Sequence, residues 1–444
     1  MIASYVFYGA WDWRFLSLIV ISTFVDYLCG ARISRSANPG VRKTYLFVSI
    51  ATNLGILGFF KYYDFFAEGF SELLSLFGLS ATHATLDIVL PVGISFYTFQ
   101  TMSYTIDIYR KKMPPCAGFL DFALFVSFFP QLVAGPIERA SRLIPQIEKK
   151  RIVSFRHLSH GSYLIIWGLF KKVVIADNLG LLVDEIFGKS SGFSGSEVVI
   201  AVLFFSFQIY CDFSGYSDIA RGIARLMGFD LMVNFNLPYF SRNPSDFWRR
   251  WHISLSTWLK DYLYVSLGGN RNGSLKTYRN LMLTMLLGGL WHGAAWNFVF
   301  WGFYHGALLA IHRVFRDFNI LNSERVRESN PRQVLIKYLS IFIMFGFTLY
   351  GWLLFRAESF EQISNMTIAI FSFRPDPFFI HNLAKLIFYA WPLFLVQLLQ
   401  YFSDDLRIFL RMKVPLQAAA YCILIFLFIV LGNYDGTSFI YFQF

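Results

Sequence analysis

Residues 286–306 read LLGGLWHGAAWNFVFWGFYHG. Two histidines, His292 and His305, stand in a run that is otherwise Leu, Gly, Ala, Trp, Phe, Tyr, Val and a single Asn. Such a run ends in a core or in a bilayer, where an ionisable ring is expensive and needs a partner or a use. The rest of the chain decides between the two. Its 444 residues are 56% hydrophobic and only 15% charged, against roughly 25% charged residues in soluble domains, and the mean hydropathy is +0.48. The chain reads as all-α and polytopic, an integral membrane protein. Its 20% aromatic content suits both a buried interior and the water–lipid borders.

A crossing helix needs about 20 mostly apolar residues. Working outward from the quoted run, such segments fall at about 13–30, 44–66, 86–107, 160–178, 196–214, 278–291, 293–312, 334–355, 384–402 and 414–433. No polar stretch is long enough for a separate soluble domain, so a single membrane domain is expected over 1–444. Arg32, Arg35, Arg42 and Lys43 place the first loop in the cytoplasm and Met1 outside. The start lacks a charged leader and a small-residue cleavage site, and reads as a retained membrane segment.

Two stretches break the alternation. FLDFALFVSFFPQLVAGPIERA (119–140) is apolar, is flanked by basic residues on both sides and is interrupted by Pro130, Gly135 and Pro136. It reads as a re-entrant segment, and irregular backbone at membrane depth implies an enclosed cavity or tunnel. SDFWRRWHISLSTWLKDYLYVSLGGNRNG (245–273) places Phe247, Trp251, Leu255, Trp258 and Tyr262 at three- and four-residue spacing. That predicts one amphipathic helix at or beneath the cytoplasmic surface, N-capped by Ser245 or Asp246. No repeat or inverted repeat is found.

The net charge of +11 sits in short clusters between apolar runs, which excludes nucleic acid as the natural partner. Those clusters suit anionic lipid headgroups, or an acidic acyl donor such as coenzyme A or a carrier protein. Cys29, Cys116, Cys211 and Cys422 form no CxxC pair and read as small buried residues. No serine elbow, phosphate loop or metal motif is present. His83, His157, His160 and His381 lie in loops or at span edges, and the seven-residue spacing of His305 and His312 does not suit a metal. His292, deep in a membrane run, is the candidate catalytic group; the bland alternative packs it between Trp291 and Trp296. His252, on the amphipathic stretch, would be its partner nearer the surface. Such a pair suits acyl transfer, one imidazole taking the proton of an attacking hydroxyl.

FFPQLVAGPIERA (128–140), DFWRRWHISLSTWLKDYLYVSLGGNR (246–271) and GGLWHGAAWNFVFWGFYHG (288–306) together resemble the membrane-bound O-acyltransferases. Within that family the chain looks most like the bacterial branch of alginate O-acetylation and teichoic-acid D-alanylation membrane proteins. The resemblance implies a ring of about ten or eleven transmembrane helices, with re-entrant and amphipathic helices around a central tunnel. It puts the catalytic histidine at His292 and its partner at His252, with Trp248, Trp251, Trp291 and Asn297 along the tunnel beside them. Pro130, Gln131, Gly135 and Pro136 would shape the cytoplasmic mouth, and Asp261 would steady the motif carrying His252. It further implies no bound cofactor, an acetyl-coenzyme A or acylated-carrier donor, a bacterial inner-membrane location, and a polysaccharide acceptor reached directly or through a periplasmic partner. The competing reading is a transporter or channel with proton-relay histidines. Against it stand the missing repeat and the absence of an Asp–Lys network in the deeper runs.

Overall fold

With no water to satisfy it, backbone inside a bilayer must close its hydrogen bonds within each segment. The computed structural model describes residues 1–79, 86, 88–133, 135–317, 331–372, 377–435 and 439–440, and every regular element among them is helical. His83 lies outside the described residues. Six stretches among them are long and apolar enough to cross a membrane: Ile2–Arg35, Pro39–Leu76, Gly195–Leu226, Pro331–Arg356, Phe379–Ser403 and Val414–Leu431. The crossings expected at 86–107, 160–178, 278–291 and 293–312 are helices that are shorter, interrupted or more polar than these.

Backbone contacts divide the chain into two compact units. The first comprises 1–161, 223–232 and 293–295. Its helices are α1 (Ile2–Asp12), α2 (Leu16–Arg35), α3 (Pro39–Leu57), α4 (Tyr63–Leu76), α5 (Ile94–Tyr109), α6 (Phe119–Ser127), α7 (Phe129–Leu132) and α8 (Ala140–Glu148). Helices α2, α3 and α5 bury a carboxylate, and the sequence supplies the groups that make this tolerable. Asp26 accepts hydrogen bonds from Ser49 Oγ at 2.5 Å and Asn53 Nδ2 at 2.8 Å, and Ser22 and Thr101 complete the cluster through Asn53 Oδ1.

The interruption expected in 119–140 is present. Helix α6 ends at Ser127, Phe128 turns extended, and Pro130 opens the short α7. The Phe125 carbonyl near this break is satisfied by Gln100 Nε2 at 2.6 Å and Gln131 Nε2 at 3.3 Å. Gln131, Gly135 and Pro136 are buried, and Gly135 has no room for a side chain, since a Cβ there would lie 2.3 Å from Gln131 Cα.

The second unit comprises 162–222, 233–292 and 296–444. It holds the second half of α9 (Phe155–Leu169), continued by a π-helical turn (Phe170–Ala176), then α10 (Asp177–Phe187) and all but the last turn of α11 (Gly195–Leu226). After them come α12 (Pro244–Arg250), α13 (Ile253–Trp258), a second π turn (Leu259–Tyr264), α14 (Ser274–His292) and α15 (Trp296–Asp317). The last are α16 (Pro331–Arg356), α17 (Phe360–Ser372), α18 (Phe379–Ser403), α19 (Ile408–Arg411) and α20 (Val414–Leu431).

The structure corrects one expectation here, because an Asp–Lys network does exist inside an expected crossing. Lys171 donates to Ser214 Oγ at 2.8 Å and Asp218 Oδ2 at 2.7 Å, while Lys172 lies 2.6 Å from Asp177 and 3.1 Å from Asp212. The sequence hides the network because its partners lie on different elements, and the π turn carrying both lysines brings them against α11. Each buried cation is thereby matched by a carboxylate, which is how buried charge is retained at tolerable cost. The C-terminal segment is tied to the same place. Asn433 N donates to Val173 O, Ile440 N donates to Asp212 Oδ2 at 2.7 Å, and the Phe439 ring packs on Phe213 and Tyr216.

Candidate active site

Helix α14 delivers His292 as its last residue, and the glycines before it set where that end lies. A Cβ on Gly289 would sit 2.2 Å from Phe298 O, and one on Gly302 would sit 2.4 Å from Met285 O. Helices α14 and α15 therefore pack backbone to backbone, which only glycine permits. Gly288 faces Leu259 Cδ1 on the second π turn. These three glycines thus each face another part of the protein.

His292 is 5% exposed. Its ring meets Trp291 at 5.1 Å, Trp301 at 5.1 Å and Phe355 at 5.4 Å, all edge-on. The box around His292 is thus drawn from α14, α15 and α16, and Trp296 is 58% exposed. Asn297 contributes at a distance: its Nδ2 donates to Ala357 O at 2.9 Å and Phe355 O at 3.5 Å, anchoring the end of α16 that carries Phe355.

His252 corrects the helix expected over this stretch. The N-cap is Asn243, whose Oδ1 accepts from Asp246 N, with Pro244 in the first turn. The helix then stops, Trp251 is extended, and His252 takes φ 42°, ψ 55°, in the left-handed region. Backbone bonds hold the break, Asn236 N to Arg250 O and Ile253 N to Asn234 O, each 2.9 Å. Phe247, Trp251, Leu255, Trp258 and Tyr262 are all buried. The aromatic face is therefore internal, and His252 is completely buried. Burial pushes its imidazole down to about 3, so it is neutral at physiological pH.

The two histidines share a ring. Trp291 lies 5.9 Å from His252 and 5.1 Å from His292, and Phe213 of α11 closes the other side of His252 at 4.6 Å. The series continues to a third histidine, which the sequence weighs only as a metal ligand. Trp301 lies 4.7 Å from His305, which stacks on Phe247 at 5.9 Å and meets Trp248 edge-on at 5.2 Å. Gly351 leaves the space that ring occupies, since a Cβ there would be 2.9 Å from His305 Nε2. His305 lies 13 residues after His292 in the same aromatic run; its lack of a metal-type spacing hid it. Trp251 stacks on Phe247 and packs on Trp352 at 4.7 Å.

The structure thus brings together His292, His252, Trp291, Trp248 and Trp251, with Asn297 as an anchor. Asp261 is half-buried on the second π turn. Pro130, Gln131, Gly135 and Pro136 belong to the first unit. No group of three or more metal-ligating side chains occurs among the described residues.

A helical chain with six stretches apolar enough to cross a membrane thus holds His252 and His292 against one tryptophan in a buried aromatic box. A family model described as MBOAT, membrane-bound O-acyltransferase family, matches residues 5–355, and the chain belongs to that family. The probable alginate O-acetylase AlgI of Pseudomonas aeruginosa is 44% identical over 377 residues, covering 84% of this chain and 69% of that protein. The peptidoglycan O-acetyltransferase of Helicobacter pylori is 39% identical over 388 residues, covering 82% and 71%. A teichoic acid D-alanyltransferase of Streptococcus thermophilus is more distant, at 28% over 285 residues, covering 60% and 68%. The chain is a membrane acyltransferase, and the transporter reading is set aside.

Proposed function

We propose that the protein moves an acetyl group from a cytoplasmic thioester to a hydroxyl of an exported polysaccharide. The acceptor is met directly or through an acyltransferase partner outside the membrane, and the protein resides in the inner membrane of a bacterial cell. The observation that carries this reading is the shared Trp291 ring, which joins two buried histidines. The acceptor oxygen attacks the thioester carbonyl, forming the new C–O bond as the C–S bond breaks. The hydroxyl proton passes to His292 and then to the departing thiolate sulfur. His252 orients or polarises the donor or the acceptor. Acetyl-coenzyme A or an acylated carrier protein is the donor, consistent with the basic loops; no cofactor is needed beyond it. The names of the alginate and peptidoglycan O-acetylation relatives favour acetyl over D-alanyl and a glycan over other acceptors.

The test is labelled acetyl ester in the exported glycan of producing cells, with membrane abundance of each variant measured alongside. A general base contributes about 10²–10⁴-fold in rate, so His292→Ala is expected to lose nearly all label at normal abundance. Wild-type label in that variant would overturn the assignment.

A further inference from the structure

The break that carries His252 is organised by one side chain, Asn234, which is 1% exposed. Its Oδ1 accepts from Ser254 N at 3.2 Å and from Ser254 Oγ at 2.7 Å, and its Nδ2 donates to Ser217 Oγ at 3.1 Å. A backbone N–H can only donate, so the amide atom facing Ser254 is the oxygen and its orientation is fixed. That same oxygen lies 3.3 Å from His252 Nδ1. An amide oxygen can only accept, so Nδ1 must carry the proton. In a neutral imidazole the lone pair then resides on Nε2, because the hydrogen bond made by one ring nitrogen sets the state of the other.

We infer that Asn234 is a positioning residue that fixes His252 as the Nδ1-protonated tautomer and presents its Nε2 lone pair to the reaction. This rests on the reading of His252 as a member of the acyl-transfer site. It narrows the role left open above: at Nε2 the ring receives a hydrogen bond and gives none. His252 therefore serves the hydroxyl side of the reaction and does not polarise the thioester carbonyl. Ser217 and Phe213 lie one turn apart on α11, so one helix holds both the amide that selects the tautomer and the ring packed on the imidazole. Neither Asn234 nor Ser217 belongs to the sequence stretches that carry the histidines, and each reaches His252 only through the fold.

The test is ¹⁵N spectroscopy of the full protein labelled at histidine in lipid nanodiscs, with His252 identified by difference against His252→Gln. The expected wild-type spectrum has a protonated Nδ1 and an unprotonated Nε2, and Asn234→Ala should give a mixture of tautomers or the opposite one. Acetyl transfer by Asn234→Ala should fall by about 10²-fold, the lower end of a general base's contribution, in turnover rather than in KM. Ser217→Ala, which frees the amide without touching the break, should show a smaller change in the same two readouts. It decides the matter if Asn234→Ala does not accumulate. A wild-type Nε2–H, or an unchanged tautomer in both variants, would overturn the inference. If the spectra are as expected while His252→Gln transfers acetyl at the wild-type rate, the tautomer stands and the functional reading of His252 falls.

Discussion

The two histidines reach the same aromatic box by opposite routes. His292 is delivered by an unbroken helix whose position is dictated by glycines pressed against a neighbouring backbone. His252 is delivered by a failure of helix, a left-handed residue with no Gly or Pro to mark it. Regular packing can place a ring to within a helical turn, whereas a pinned break aims it independently of any helical period. One half of the pair is robust in backbone and the other is held by a few hydrogen bonds.

The comparison predicts where each half breaks. Gly302→Val should be the most severe change, because its Cβ would lie 2.4 Å from Met285 O and neither helix can yield. Folded protein in membrane extracts should be lost, whereas Gly346→Val, with open space around it, should accumulate normally. Asn297→Leu leaves the Phe355 and Ala357 carbonyls without their side-chain donor, a loss of about 1–3 kcal/mol. Thermal unfolding in detergent would show it, and equal stability would mean that the end of α16 needs no anchor. At the break the discriminating pair is His252→Gly against His252→Ala. Both remove the ring, but only glycine escapes the left-handed cost of about 1–2 kcal/mol. After its own entropy cost of about 0.5–1 kcal/mol, the glycine variant should unfold at the higher temperature. Equal midpoints would mean that the surrounding hydrogen bonds, not the backbone angle, govern the break.

The smallest effect concerns acid. The His252 pKa is depressed to about 3 from an ordinary 6.5 by burial. Above 6.5 the ring is neutral whether the chain is folded or not, and its contribution to stability is complete. As pH falls from 6.5 toward 3 only the unfolded chain takes up the proton, so stability drains away. His252→Gln should therefore lose stability less steeply between pH 6 and pH 4 than the wild type, measured by unfolding midpoints. Parallel slopes would contradict the burial of a neutral ring.

Much of this was legible in the sequence, and the reason is chemical. His292 stands out because an ionisable ring is costly in an apolar run unless used. Pro130 and Pro136 mark the break in 119–140 because proline removes a donor. The break at His252 was not legible: the aromatic spacing of Phe247, Trp251, Leu255, Trp258 and Tyr262 fits one continuous helix, and the bonds that interrupt it come from Asn234 and Asn236, up to 18 residues away. The Lys171–Asp218 and Lys172–Asp212 pairs were hidden likewise, since partners 40 or more residues apart leave no local pattern.

The tie between Asp212 and Ile440 also sets an order of events. The partners are 228 residues apart, so the bond cannot exist until residue 440 has been synthesised. Phe439, its neighbour, packs on the same Phe213 ring that closes His252. During synthesis there is thus a stage at which both histidines and Phe213 have been made but the ring that packs behind Phe213 has not. The backing of the His252 pocket is therefore among the last contacts the chain can make.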